Sequence, residues 1–457
     1  MICTDGVRPR KSAAGRASQR AQRRCLLECL SAAGYRNCNG SVNNEGSNGN
    51  YWSSTPNGSD NAWNLNFNSG SVNVNSNNRC NGQSVRLIQV FAKMDTLLTD
   101  LFQAYYDARR NKRNTHSQLR FELNLETNLI ALYRDLRDRS YSPSPSVCFV
   151  VCDLVKREVF ASDFRDRVVH HLYYNYVASL LDRQFVFDSY SCRKGKGTLM
   201  GIERLEHHIR SASRNYTREA YILQLDISGY FMLIGRKKLC TMVHEMTDRV
   251  QLSPEQRSLV DYLTDIITLK DPLLAARFKG RRKEWDGLPP SKCLSCSPPG
   301  VGLPIGDLTS QLYSNIFLNR LDQYVTRTLG FRCYGRYVDD FYIVDSDRER
   351  LRAAIPKIVE TLALLGLCLH SGKTRLLPVS GAVRFLGAVL HPHYRHCAPR
   401  TMRKFAKYSH AFNQLTEWGG AFDAERCVST MNSYCGYLSH YKAARVVLSD
   451  CCAGGND

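Results

Sequence analysis

No uninterrupted apolar run in this chain approaches the ~20 residues that a membrane-spanning helix needs. Acidic residues are short as well. Asp and Glu number 42 against 62 Lys and Arg, which leaves a formal charge of +20 on 457 residues. Spread along the whole length, that excess favours a polyanionic partner, nucleic acid ahead of an anionic membrane surface. A second CxxC is missing. Cys293 and Cys296 therefore lack the partner pair of a zinc ribbon, and two thiols in a proline-rich loop is the plainer reading. Most of the 18 cysteines stand singly among apolar residues, as buried thiols in a reducing compartment do. No credible export signal is present, so a soluble, cytoplasmic protein with no membrane partner is expected.

What is there falls into sections. Residues 1–36, with "RPRKSAAGRASQRAQRRC", are Arg-rich and nearly acid-free. Such a leader suits a transit peptide, a nucleic-acid tail, or sequence never selected as protein, and is expected to be disordered. Residues 37–93 are crowded with Asn, Gly and Ser, a bias that ordinarily signals disorder. Within them "WNLNFNSGSVNVNSNN" alternates Asn64, Asn66 and Asn68 with Leu65 and Phe67, turns at "SG", then alternates Asn73, Asn75 and Asn77 with Val72 and Val74. Period two predicts a β-hairpin, apolar on one face and Asn on the other. Asn is a poor strand former, so local propensity did not choose it. From Met94 onward helical patterns alternate with short apolar strands such as "AYILQLDI" and "YVDDFYIV", the mark of an α/β or α+β enzyme.

The chemistry is concentrated in two places. "RYVDDFYIVDSD" sets Asp339 and Asp340 side by side in an apolar surround, where carboxylates repel and lose solvation. A divalent cation relieves both costs, and Mg²⁺ prefers hard oxygen ligands. An ordinary polar turn between strands is the plain alternative. "ILQLDISGYF" ends an apolar strand on Asp226, which could cap the following helix or complete a two-metal clamp with Asp339.

Together "YVDD" and "DISGYF" resemble the palm of a reverse transcriptase, and the likeness continues in order from about Met94 to Val447. "VFASDFRDRVVHHLYYNYV" and "DSYSCRKGKGT" are similar to the two fingers motifs, and "GLPIGDLTSQLYSNIFLN" to the motif between the aspartate boxes. "GLCLHSGKTRL" and "FLGAVL" are similar to the two that follow. The resemblance implies an α+β right-hand fold: fingers at 94–215, palm at 216–395, helical thumb and tail at 396–457, behind a mostly unstructured Asn-rich extension. It implies Asp226, Asp339 and Asp340 as catalytic carboxylates, with Ile227 joining them in binding two Mg²⁺ ions, for which Mn²⁺ can substitute. Phe231 matches the aromatic that excludes a ribose 2′-hydroxyl, and is otherwise a core ring. Arg193, Lys194 and Lys196 would meet a triphosphate or sit solvated on a glycine-rich turn. Lys373 matches a lysine near the incoming nucleotide's phosphates, or is a solvated surface charge.

"GLPIGDLTSQ" departs from the commoner pattern of Gln-Gly and Ser-Pro, having Ile305-Gly306 and Ser310-Gln311. That variant resembles reverse transcriptases of diversity-generating retroelements, which misincorporate opposite template adenine. Ile305 and Gly306 would then lie by the nucleotide, and Ile305 with Gln311 would set fidelity. Losing a polar contact weakens discrimination by ~1–3 kcal/mol. The same resemblance explains the Asn, whose codons begin with two adenines. "YWSST", "NAWNLNF" and "NRCNGQSVRLI" resemble the end of a C-type-lectin-like, formylglycine-enzyme-like receptor domain. Residues 1–93 are therefore expected to be a template repeat and its upstream sequence translated in frame, the enzyme starting near Met94. The rival is a genuine lectin-like module. Expected partners are template RNA, nascent cDNA, dNTPs and a small basic helical accessory protein. A retron-like enzyme of ordinary fidelity and a non-catalytic RNA-binding relative are the alternatives.

Overall fold

The Asn-rich segment is not a structureless tail. The computed structural model describes residues 33–45, 47–68, 71–78, 80–83, 96–110, 114–152, 155–418 and 424–441, and contacts divide the chain into two units at Met94/Asp95. The basic leader up to residue 32 lies outside the described residues, as does "SVRLI". In the first unit six strands run β1 (Ala33–Arg36), β2 (Val42–Glu45), β3 (Gly49–Asn57), β4 (Asn61–Phe67), β5 (Val72–Asn78) and β6 (Gly82–Gln83). They pair in the order β2-β1-β3-β4-β5, with β6 on β1.

The expected hairpin is β4–β5, with Leu65 opposite Val74, Asn66 opposite Asn73 and Asn64 opposite Asn75. Its faces do not sort as expected. Asn64 and Asn50 are buried, whereas Val74 is 66% exposed. Neither amide atom of Asn64 has a hydrogen-bond partner, and Asn50 Nδ2 has none either. Polarity alone did not decide which face is covered, because β4 is flanked on both sides by β3 and β5 while β5, which carries Val74, is an edge strand of the path. A disulfide joins Cys38 to Cys80, 42 residues apart, an exception to the general expectation of reduced thiols. Cys148, Cys240, Cys293 and Cys397 do follow it, being free and buried.

The second unit begins with helices Thr96–Arg109, His116–Glu122 and Leu125–Arg137, gathered around the 19-residue helix Phe164–Asp182. That helix starts where Asp163 accepts from the Arg165 amide, an N-cap that satisfies an otherwise orphaned donor. Beside them β7 (Val147–Cys152) and β8 (Lys156–Ala161) form a hairpin, extended by β10 (Arg277–Phe278) parallel to β7. A strand from much further along the chain thus completes this small sheet.

The aspartate boxes lie in the antiparallel sheet β11-β12-β9-β13, formed by Tyr334–Tyr337, Asp340–Asp345, Tyr221–Asp226 and Arg375–Pro378. Its two central strands read as largely apolar runs, broken in β9 only by Gln224, because both faces are covered. Leu223, Leu225, Phe341 and Ile343 enter the core shared with helix Leu308–Gln323. Ile222, Tyr342 and Val344 face Ile202, Leu205 and Ile209 of helix Thr198–Ala212. Consecutive residues therefore serve opposite cores, as a pleated strand requires. A small sheet β14-β15-β16 (Val383–Phe385, Ala388–His391, Tyr394–Cys397) leads to helices Pro399–Trp418 and Ala424–Leu438. Among the described residues no helix is long and apolar enough to cross a membrane.

Candidate active site

The two aspartate boxes meet because of strand register. β9 and β12 are neighbours, and Asp340 stands opposite Asp226. Asp339 lies in the two-residue turn between β11 and β12, where Tyr337 pairs with Asp340. Val338 takes a φ of 55° in that turn, a region that costs a β-branched residue energy and persists only under outside constraint. Two backbone bonds lock the aspartate ends together: Ile227 N donates to Asp339 O at 3.2 Å, and His370 N donates to Asp226 O at 2.8 Å. The second ties β9 to the loop that carries Lys373.

Electrostatics mark the cluster as short of positive charge. Asp226 is buried. Burial, then the charge of Asp226, holds the Asp339 carboxyl above its ordinary range, against the pull of Lys292 and Lys373. Although Asp340 as a whole is exposed, its carboxyl is crowded. Burial, a hydrogen bond with Asp226 and the charges of Asp339 and Asp226 push it up to about 7. The one ion pair on the cluster that the structure records is Lys373 Nζ to Asp226 Oδ2 at 2.9 Å, from a side chain 54% exposed. Lys373 therefore sits on a carboxylate here, beside the two roles the sequence left open, near nucleotide phosphates or solvated at the surface. A crowded, partly buried oxygen-only set carrying excess negative charge suits a hard divalent cation.

The other candidate residues separate into three groups. Phe231 and Ile305 both pack against the cluster of Cys148, Phe160, Met232 and Leu294, with Phe231 edge-on to Tyr230 at 5.2 Å. Ile305 O accepts from Phe160 N at 2.9 Å, which seats the "GLPIG" loop on β8. Gly306, at φ 139°, allows that approach, since a Cβ there would lie 2.3 Å from Phe160 O. Gly306→Ala is expected to lower stability by about 1–3 kcal/mol through strain at this contact, read as a lower urea midpoint at unchanged m. Gln311 is exposed on helix Leu308–Gln323, away from that loop's apolar contacts.

Arg193 corrects the sequence reading. Its side chain is 5% exposed, and all five of its N–H donors are taken. Nε and Nη2 hold the Asp182 carboxylate at 2.5 and 3.1 Å, Nη2 also reaches Asp182 O, and Nη1 reaches Val186 O and Ser189 O. A guanidinium has no further donor to give a phosphate, so Arg193 braces the glycine-rich turn. Lys196 donates to Phe187 O and lies over that ring at 4.2 Å. Burial, with the Arg193 charge, draws its pKa down to about 8. Lys194 alone of the three is fully exposed. Cys293 and Cys296 join no group of three metal-ligating side chains among the described residues.

Sequence reasoning missed what holds the turn. Arg336, fully buried in β11, makes a bidentate pair with Asp322 at 2.7 Å for each bond. Its Nη1 reaches Val338 O at 3.0 Å and Asn315 Oδ1 at 3.4 Å, and Nη2 reaches Ser189 Oγ at 3.2 Å. The available signal was a charge inside an apolar strand, "YGRYVDD", since buried charges persist only when paired.

Comparison with known proteins places the aspartate boxes within a family match. The family model described as reverse transcriptase (RNA-dependent DNA polymerase) matches residues 161–390. A second model, a domain of unknown function, matches residues 19–88. No curated protein matches the chain. Among solved structures, telomerase from Candida tropicalis with a TWJ fragment of telomeric RNA is similar at 11% identity, TM-score 0.39, over 55% of this chain and 44% of that one. Apo telomerase from the same organism gives 11% identity and TM-score 0.40, over 55% of this chain and 48% of that one. The chain thus spans about half the length of these structures. With the family model spanning just over half of its residues, the chain belongs to the reverse transcriptase (RNA-dependent DNA polymerase) family.

Proposed function

We propose that this chain is an RNA-directed DNA polymerase that copies a template-repeat RNA into adenine-mutagenised cDNA for targeted protein diversification. The observation that carries the polymerase is the convergence of Asp226, Asp339 and Asp340 at the ends of adjacent palm strands. Those carboxylates and the Ile227 backbone would hold two Mg²⁺ ions, for which Mn²⁺ can substitute. The ions would supply activation of the primer hydroxyl and stabilisation of the leaving pyrophosphate. The protein's own share is positioning. Phe231, on short helix Tyr230–Leu233 directly after the Asp226 turn, would exclude a ribose 2′-hydroxyl on this reading, favouring dNTPs. Template RNA and nascent cDNA would draw on the excess of basic residues, including Arg400, Arg403, Lys404 and Lys407 at helical spacing. A small basic accessory protein is part of the same reading.

What supports the error-prone subclass is Ile305, whose apolar side chain lies with Phe231 against one cluster. An amide is replaced there by a group that can make no polar contact with a nascent pair. The test is sequencing of cDNA made on RNA templates rich or poor in adenine, with the accessory protein and native template RNA added. Errors should concentrate opposite adenine, and Ile305→Gln should reduce them by roughly ten- to hundredfold. Accurate cDNA from the unaltered enzyme would instead leave a polymerase of ordinary fidelity.

For residues 37–93 two readings each have an observation. Buried Asn64, with both amide atoms unpaired, costs about 1–3 kcal/mol per group, which a sequence chosen for folding would avoid. That supports a translated template repeat. The six-stranded sheet and the second family match support a module in its own right. A neighbouring gene holding a near-copy of codons 50–89 that differs at adenines decides for the first. A copy without adenine bias decides against it.

A further inference from the structure

Helices Arg236–Thr247 and Pro254–Leu269 follow the Asp226 strand and pack against each other. Each carries a polar pair one turn apart, Cys240 with His244 and Asp261 with Asp265, so each pair shares a helix face. Packing brings the pairs together. Cys240 Sγ lies 3.2 Å from Asp265 Oδ1, and His244 Nε2 lies 2.8 Å from the same oxygen. Ligand atoms of Cys240, His244 and Asp265 all lie within 4.8 Å of one another. Tetrahedral zinc, with bonds of about 2.3 Å to sulfur and about 2.0–2.2 Å to nitrogen and oxygen, sets its ligands roughly 3.3–3.7 Å apart. The triangle is near that size already.

The second observation is on the far side of the imidazole. Asp261 Oδ1 is buried without a hydrogen-bond partner, and it lies 3.7 Å from His244 Nδ1. In the present arrangement Nε2 serves Asp265, and a neutral ring then has no proton at Nδ1. A cation on Nε2 moves the proton to Nδ1 and aims it at the orphaned oxygen. A carboxylate behind a ligating histidine, fixing its tautomer, is how protein metal sites are commonly braced.

We propose that Cys240, His244 and Asp265 form a binding site for a borderline-soft divalent cation of the zinc class, with Asp261 orienting His244 from behind. A thiolate–imidazole–carboxylate set selects zinc, cobalt or nickel over magnesium. It is therefore chemically distinct from the oxygen-only cluster at Asp226. Cys240 is buried and His244 and Asp265 open to the surface, which leaves an entry path and a position for water. As the metal enters, the Cys240 thiol proton leaves to solvent. The bound ion clamps the two helices that follow the catalytic strand.

The full chain, stripped of metal, should be titrated with Co²⁺ and followed by absorption. A thiolate-to-cobalt charge-transfer band saturating at one ion per chain is expected. Cys240→Ser should abolish the band, while Cys293→Ser with Cys296→Ser should leave it intact. Asp261→Asn should keep the band and weaken Co²⁺ binding about 10–100-fold, the usual effect of losing the group behind a ligating histidine. Zn²⁺ should raise the Tm of the unaltered chain, and Asp265→Asn should remove that rise. Should Cys240→Ser fail to fold, this pair of melting curves decides. A band that survives Cys240→Ser, unchanged affinity in Asp261→Asn, or a Zn²⁺ response retained by Asp265→Asn would each overturn the site.

Discussion

Asp339→Asn is expected to reduce primer extension by about 10³-fold or more, the scale on which losing a charge-compensating group costs phosphoryl-transfer enzymes, while the fold is kept. The physical case rests on the turn. Asp339 contributes its backbone carbonyl to the bond from Ile227 N and its side chain to the carboxylate cluster. Asn preserves the first and removes the charge of the second. Because burial and Asp226 already hold the Asp339 carboxyl above its ordinary range, its ionised form is disfavoured in the folded chain. Neutralising it relieves repulsion, so the Tm in the absence of divalent ions should hold or rise. Stability and activity then move apart, which separates a catalytic carboxylate from a structural one. Extension measured with saturating Mg²⁺, RNA template and primer, beside a melting curve, checks both arms. Undiminished cDNA from Asp339→Asn would sink the assignment. A large drop in Tm would show instead that Asp339 holds the fold.

How far the sequence could be read depended on whether one element or two decided the outcome. The β4–β5 hairpin followed from period two within a single segment, on either side of the "SG" between its halves. Which face would be buried depended on neighbours in the sheet, and there the expectation failed at Asn64 and Val74. The pairing of the two aspartate strands was legible because "ILQLDI" and "YVDDFYIV" are largely apolar and place their carboxylates beside that apolar run, a pattern that costs too much to arise for packing alone. The roles of the basic residues were not legible. Arg193, Lys194 and Lys196 read as one cationic run, yet one is a buried brace, one is exposed and one half-covers Phe187. Burial distinguishes them, and burial is a property of the whole fold. The same holds for Cys240 and His244. Their spacing on a helix is visible in the sequence, but the opposing Asp261 and Asp265 become relevant only once two helices pack.

The second large effect concerns Arg336, which touches none of the three carboxylate side chains through any hydrogen bond the structure records. Arg336→Met should lower stability by about 3–5 kcal/mol, because it strands the fully buried Asp322 carboxylate without its counter-charge. Asp322 would keep only the Tyr334 hydroxyl, 2.5 Å away. Removing both charges is different in kind. A buried ion pair replaced by apolar side chains of similar volume is often neutral, so Arg336→Met with Asp322→Leu should regain much of the lost stability. Activity should not follow. Arg336 Nη1 is also the donor that holds Val338 O at 3.0 Å, at the residue whose φ of 55° needs outside support. Without that anchor the Tyr337–Asp340 turn can relax, and Asp339 moves relative to Asp226. Misplacement of this kind by about 1 Å costs on the order of 10²-fold. Urea melts and single-turnover extension on the single and double variants therefore give a split result: stability returns and the chemical step stays slow. If both return together, Arg336 serves only the core. If neither does, the buried pair is worth more to this palm than its apolar replacement, and the turn's contribution must be read from Asn315 and Ser189 variants, which share the same guanidinium.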